Sequence, residues 1–188
     1  NPCDVPYLCL LGVMLLVRKA RRDGSGKRPL FQQEWGFFSE VGFYMKIHPS
    51  AIVHPDAELA EDVEIQPYSI IGPHVRIGRG TRIGPHCVID GRTEIGENNE
   101  FFSGAQIGIL SQDKKHKQGL IGRTSIGNGN QFREHVTISA STMESFDDDH
   151  RVTSIGDDCL LMAYCHVAHD CHLGNTIVMA SGAMISGH

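Results

Sequence analysis

The chain has 188 residues, enough for one domain with a substantial core. Its 17 lysines and arginines are outnumbered by 22 aspartates and glutamates, and the net charge of -5 argues against a domain-wide basic surface for nucleic acid. Aromatic residues make up only 7% of the chain while glycine occurs 21 times, a composition that favours a repetitive β architecture over a helical one.

Residues 1–44 differ in character from the rest of the chain. An apolar run over residues 5–17 precedes the basic stretch RKARR, the reverse of the order in a secretory signal peptide. The run is also shorter than the ~20 residues of a membrane-spanning helix. Met45 begins a different pattern, MKIHPSAIVHPDAEL. We therefore expect residues 1–44 to be a leader or upstream segment outside the fold, with a short N-terminal anchor as the alternative, and residues 45–188 to form the domain.

A bulky apolar residue recurs at every sixth position, and a small or β-branched residue follows it four positions later. The first run of apolar positions comprises Ile47, Val53, Leu59, Ile65, Ile71, Ile77, Ile83, Ile89, Ile95, Phe101 and Ile107. A period of six fits neither a helix nor an ordinary flat strand, and it is typical of the hexapeptide repeat of a parallel β-helix. Three hexapeptides, about eighteen residues, would close one triangular coil. We predict an all-β fold in which both sets of residues point inward and stack in columns.

The repeat is interrupted twice, over residues 110–125 and 139–154. Both segments carry many polar or charged residues, so we predict two loops that protrude from the coils. Insertions of this kind often line the binding face of a solenoid. The first contains Lys114, Lys115 and Lys117, which could bind an anionic group; a merely solvated basic loop is the alternative.

The stretch CHVAHDCHLG, from Cys165 to Gly174, combines residue types found in metal sites, in nucleophile pairs and in general bases. The repeat places Cys159, Cys165 and Cys171 at inward positions, which argues against a zinc site or a cysteine nucleophile. His169 and Asp170 fall where side chains leave the coil, and an exposed histidine beside an acid can act as a general base. One coil later come Gly187 and His188. A surface His–Asp pair without catalytic consequence is the alternative, and His172 has no predicted role.

From Met45 to His188 the sequence resembles the acyl-[acyl-carrier-protein]–UDP-N-acetylglucosamine O-acyltransferases of lipid A biosynthesis, a hexapeptide-repeat family. The resemblance is carried by the stretches IHPSAIVHPDA, IGPHVRIGRGT, SQDKK, FREHVTI, CLLMAYCHVAHDCHLGN and SGAMISGH. It implies a left-handed parallel β-helix, a cytoplasmic homotrimer with active sites between neighbouring subunits, and a parent protein with further coils and a helical domain beyond His188. It also implies the reaction, in which the 3-hydroxyl of UDP-N-acetylglucosamine attacks the thioester of a 3-hydroxyacyl chain on acyl carrier protein.

Carried over residue by residue, the resemblance assigns roles to the site. His169 matches the general base, Asp170 its acidic partner, and Gly187 the residue whose backbone N–H supports the oxyanion. The positions that match substrate-contacting residues are Gln112, Asp113, Lys115, His166 and His188. No metal, cofactor or covalent enzyme intermediate is implied.

Three other interpretations fit a hexapeptide-repeat chain. An N-acyltransferase of the same pathway would carry a uridine-binding domain before the coils, for which residues 1–44 are too short, and the QDxK loop also argues against it. A zinc protein like the γ-type carbonic anhydrases would bind its metal through histidines across a trimer interface. A non-catalytic β-helix scaffold is the third.

Overall fold

The structure is a computed structural model that describes residues 47–187. The expectation that residues 1–44 form a leader and the role predicted for His188 lie outside the described residues. Within residues 47–187, no helix has the length and hydropathy that a membrane span requires.

The elements are short because each hexapeptide supplies one brief strand and one tight turn. A 3-10 helix at Phe146–His150 is the exception within residues 47–187. The strands are β1 Ile52–Val53, β2 Glu58–Leu59, β3 Glu64–Ile65, β4 Ile70–Ile71, β5 Arg76–Ile77, β6 Arg82–Ile83, β7 Val88–Ile89, β8 Arg92–Ile95, β9 Glu100–Phe101, β10 Gln106–Ile109, β11 Arg123–Ile126, β12 Gln131–Phe132, β13 Thr137–Ser139, β14 Thr153–Ile155, β15 Leu160–Leu161, β16 His166–Val167, β17 His172–Leu173, β18 Val178–Met179 and β19 Met184–Ile185.

The strands form three parallel sheets, which are the three faces of a left-handed parallel β-helix, and this confirms the predicted fold. The first sheet has the order β1-β4-β7-β10-β13-β16-β19, and the other two contain every third strand beginning at β2 and β3. Ile52 pairs with Ile70, and Tyr68 donates its N–H to Ser50 across the same separation of 18 positions. Each coil therefore returns to the same face after three hexapeptides, as the six-residue period predicted.

The core consists of the two sets of residues that the repeat placed inward. Ile83, Ile89 and Ile107 are fully buried, and so are the smaller Val75 and Cys87. Each hexapeptide contributes one bulky and one small side chain to columns that continue from coil to coil and form one apolar core.

The three cysteines of the last coils also lie in this core. Cys159, Cys165 and Cys171 are buried, and the Cys165 and Cys171 thiols each donate to a backbone carbonyl of the next coil at 3.1 Å. Burial raises the pKa of the Cys171 thiol, and the nearby Asp170 charge adds to the effect. The predicted inward orientation is confirmed, so these sulfurs serve as small apolar side chains.

Two insertions interrupt the coils. Between β10 and β11 and between β13 and β14 the chain leaves the sheets, so residues paired across them are 31 and 29 positions apart. Strand β11 already begins at Arg123, within the first segment expected to be a loop. In the second, Ala140 to Met143 are buried although few core residues were expected there. After this buried start, residues 144–147 are exposed.

The outer surface is not uniformly polar. On the first sheet, Ile52 and Ile70 point outward and are 64% and 44% exposed. At one edge of that sheet, Tyr68 stacks on His86, with 5.2 Å between ring centroids, and Tyr164 stacks on His135 at the same distance. Exposed apolar groups grouped on one side of a protein mark a surface that contacts another molecule.

Candidate active site

His169 and Asp170 form the turn between β16 and β17. The backbone of Asp170 is left-handed, with φ of 58°, a conformation that aspartate tolerates better than most residues. Its N–H donates to the hydroxyl of Thr153 at 2.9 Å, which ties the turn to the neighbouring coil. The two side chains are only 12% and 13% exposed. They leave the core as predicted, but they are covered rather than exposed.

The His169 ring is oriented by the carboxylate of Asp170. His169 Nδ1 lies 2.8 Å from Asp170 Oδ2, and this oxygen also accepts the backbone N–H of Thr142 at 3.2 Å. Because an ionised carboxylate can only accept, Nδ1 carries the proton, and in the neutral ring Nε2 then carries the lone pair. This is the tautomer that a general base requires when its second nitrogen is held by an acid.

The first insertion brings a second carboxylate to the same ring. Asp113 Oδ2 lies 3.7 Å from His169 Nε2, while Asp113 Oδ1 accepts the backbone N–H of Lys115 at 2.9 Å. The Asp113 N–H donates to Ser111 Oγ, and Ser111 Oγ is 2.6 Å from the buried hydroxyl of Thr142 in the second insertion. His169 is therefore flanked by an acid from its own coil and an acid from an insertion, and hydrogen bonds connect the two insertions.

A cleft of about 320 Å³ opens beside this pair. Lys115 lines it from the first insertion, Arg151 and Glu144 from the second, and Asp170 and His172 from the coils. Arg151 Nη1 is 3.5 Å from Glu144 Oε1. The cleft thus combines cationic groups, which could neutralise a phosphate, with one carboxylate of the His169 pair.

His166 stands outward on β16 and is the second histidine of the site. Its Nδ1 is 2.7 Å from the hydroxyl of Thr137 on the neighbouring strand. Burial lowers the pKa of His166, and the positive charge of a protonated His169 lowers it further, while a hydrogen bond with the backbone of Thr137 partly opposes both. These effects favour the neutral ring, which can both donate and accept hydrogen bonds.

Gly187 lies one coil beyond His169 and directly against its ring. A methyl carbon built on Gly187 would lie 2.5 Å from His169 Cε1 and 3.0 Å from Cδ2, so only glycine fits there without moving the imidazole. Of the residues predicted for the site, the structure brings His166, His169, Asp170, Asp113 and Gly187 together; Lys115 lines the adjoining cleft, and Gln112 is exposed.

Comparisons with known proteins agree with the β-helix fold. The bacterial transferase hexapeptide family (six repeats) matches residues 153–187. An acyl-[acyl-carrier-protein]–UDP-N-acetylglucosamine O-acyltransferase from Synechocystis is 49% identical over 101 residues, which cover 54% of this chain and 34% of that relative. The chain thus spans about a third of the length of the curated relative it matches.

Solved structures give the same result over a larger part of the chain. LpxA from Acinetobacter baumannii has a TM-score of 0.70 and 43% identity, covering 76% of this chain and 54% of that one. The UDP-N-acetylglucosamine acyltransferase from Francisella novicida has a TM-score of 0.71 and 36% identity, covering 76% and 50%. Over its coils, the chain is a homologue of the UDP-N-acetylglucosamine O-acyltransferases. The family resemblance predicted from the sequence is confirmed.

In this O-acyltransferase homologue, sequence reasoning missed the residues that hold the site together. Thr142, Met143 and His116 connect the two insertions, and Arg151 and His172 line the cleft. A signal was present in the run SASTM, which starts the second insertion with small and apolar residues rather than charged ones. His172 was left without a role because the repeat period cannot show which outward residues a loop will approach.

Proposed function

We propose that the protein transfers a 3-hydroxyacyl chain from acyl carrier protein to the 3-hydroxyl of UDP-N-acetylglucosamine, the first step of lipid A biosynthesis, with His169 as general base. The observation that carries the proposal is the His169 ring, held through Nδ1 by Asp170 at 2.8 Å with Nε2 turned towards Asp113. The homology to O-acyltransferases supports the choice of substrates.

The reaction requires a general base close to a hydrogen-bond donor that stabilises the oxyanion. A sugar hydroxyl is a poor nucleophile, so His169 Nε2 takes its proton as the oxygen attacks the thioester carbonyl. The backbone N–H of Gly187, one coil beyond the ring, donates to the oxyanion that forms. When the tetrahedral intermediate collapses, the C–S bond breaks and the imidazolium returns its proton to the leaving thiolate of the carrier.

The carboxylates of Asp170 and Asp113 would stabilise the positive charge that forms on the His169 ring. Asp170 keeps the proton on Nδ1 before the reaction and stabilises the imidazolium during it, as a carboxylate does for the histidine of a catalytic triad. Asp113, at 3.7 Å from Nε2, adds to this stabilisation and, with Gln112 and Lys115, binds the nucleotide sugar. His166 and His188 contact the substrates. No cofactor or metal takes part.

We also propose that the protein is a cytoplasmic homotrimer. The exposed Ile52 and Ile70 on the first sheet, and the stacked pairs Tyr68–His86 and His135–Tyr164 at its edge, are the kind of surface that a neighbouring copy would cover. Sedimentation of the full-length protein tests this, and a monomer at micromolar concentration would contradict it.

The decisive experiment is an acyl-transfer assay on the full-length protein with UDP-N-acetylglucosamine and 3-hydroxyacyl carrier protein. The His169→Gln variant should lose about 10² to 10⁴-fold in kcat, because the proton must then pass to water. His54→Gln is the matched control, since His54 also faces an aspartate, Asp56 at 3.6 Å, but is exposed and remote from the cleft. Unchanged turnover in a folded His169→Gln variant would refute the base assignment.

A further inference from the structure

His116 lies between the two insertions and bonds to both through its ring. Its Nδ1 is 3.2 Å from the backbone nitrogen of Met143 in the second insertion. Its Nε2 is 3.1 Å from the carbonyl oxygen of Leu120, in the first insertion. The ring is half-buried and belongs to the same loop as Asp113 and Lys115, although nothing in the sequence assigns it a role.

The two partners define the protonation state of the ring. A backbone N–H can only donate, so Nδ1 must accept from Met143; a carbonyl can only accept, so Nε2 must donate to Leu120. Only the neutral imidazole with its proton on Nε2 satisfies both bonds. Either the other tautomer or the imidazolium would place a hydrogen against the Met143 N–H and lose that bond.

Further hydrogen bonds connect this ring with the turn that carries Asp113. The backbone N–H of His116 donates to the carbonyl of Asp113 at 3.0 Å, and the N–H of the next residue, Lys117, donates to the carbonyl of Met143 at 2.8 Å. Met143 is thus hydrogen-bonded through both its backbone N–H and its carbonyl, and the residue is only 1% exposed. The Asp113 turn is thereby attached to a buried anchor.

The same anchor lies next to the second carboxylate of the site. Thr142 precedes Met143 and donates its N–H to Asp170 Oδ2, the oxygen that holds His169 Nδ1. A displacement of Met143 would therefore move Thr142 relative to Asp170 as well as release the Asp113 turn. Neither ring bond of His116 goes to the His169 ring, so its effect on the base passes through both acids.

We propose that His116 is a positioning residue: as the Nε2–H tautomer it fastens the first insertion to Met143 and so sets both carboxylates that flank His169. This inference rests on the proposed function for its catalytic consequence, but not for the hydrogen bonds themselves. Such a role is consistent with the steep dependence of catalysis on placement, where a displacement of about 1 Å costs up to ~10²-fold.

Three substitutions in the full-length protein separate the two ring bonds. His116→Asn keeps an acceptor at the place of Nδ1 and so retains the hydrogen bond with Met143. His116→Gln keeps a donor near Nε2 and so retains only the hydrogen bond with Leu120. His116→Phe keeps an aromatic ring but makes neither hydrogen bond. We expect kcat/KM to fall about tenfold or more in His116→Phe, to fall nearly as far in His116→Gln, and to be largely restored in His116→Asn. Equal activity in all three, or His116→Gln exceeding His116→Asn, would overturn the proposal. His54→Phe is the control for an aromatic replacement at an exposed histidine.

Two measurements decide the structural part without any turnover. Nitrogen-15 NMR of the imidazoles should show His116 as the Nε2–H tautomer at neutral pH, and amide exchange of Thr142 and Met143 should accelerate in His116→Phe but not in His54→Phe. A ring protonated on Nδ1, or unchanged exchange, would overturn the inference even in an active enzyme. If the wild-type protein transfers no acyl group, the proposed function fails, and these two readouts still decide the role of His116.

Discussion

The contact between Gly187 and His169 makes Gly187→Ala the sharpest test of how the site is built. The backbone of Gly187 lies outside the left-handed region, so alanine is accepted there without strain. The added methyl would stand 2.5 Å from His169 Cε1, whereas ordinary contact between carbon atoms is about 3.5 Å. The imidazole must then move by about 1 Å, away from the position that Asp170 gives it.

A shift of this size predicts a loss of up to ~10²-fold in kcat, which corresponds to about 2.7 kcal/mol of transition-state stabilisation. The backbone N–H remains in the variant, so the loss reports the position of the base rather than the removal of the oxyanion donor. Steady-state acyl transfer measures it, and thermal unfolding checks that the melting temperature changes little. Gly174→Ala is the matched control, because a methyl there would meet no atom of residues 47–187 within 4 Å. Wild-type kcat in Gly187→Ala would refute the placement of His169 against this glycine.

Three further outcomes are expected. In NMR titrations His166 should show a pKa below the ordinary ~6.5, and His169→Gln should raise that pKa because the neighbouring charge is removed; no change would mean that the two rings are not coupled. Phe132→Ala should lower the free energy of unfolding by about 3 to 5 kcal/mol in denaturant titrations, because the buried Phe132 ring stacks on Phe101 in the core, with 4.6 Å between ring centroids. Phe146→Ala is the control: at an 84% exposed position it should change the free energy of unfolding by less than about 0.5 kcal/mol. Lys115→Ala should raise the KM for the nucleotide sugar more than it lowers kcat, since the exposed Lys115 lines the cleft without contacting the base, and an unchanged KM would contradict its binding role.

The coils could be predicted from the sequence almost entirely, because their structure is local and periodic. A six-residue repeat dictates which side chains face inward, and the burial of Ile83, Val75 and Cys87 follows from their place in it. The same rule separated the cysteines of CHVAHDCHLG from its histidines and left His169 and Asp170 outside the core. The family resemblance then supplied their roles as expectations.

The structure of the insertions could not be predicted in this way, because a segment without a sequence repeat does not indicate which residues it will pack against. Only the tertiary structure shows that the first insertion brings Asp113 to 3.7 Å from His169, or that Thr142 from the second donates to Asp170. These contacts join residues 28 or more positions apart, and they depend on Met143 finding a buried place beside the coil. The sequence by itself determined a β-helix with a histidine and an aspartate at one corner. The folded insertions decided that this pair is covered, oriented and flanked by a second acid, because burial and hydrogen-bond geometry arise only where distant segments meet.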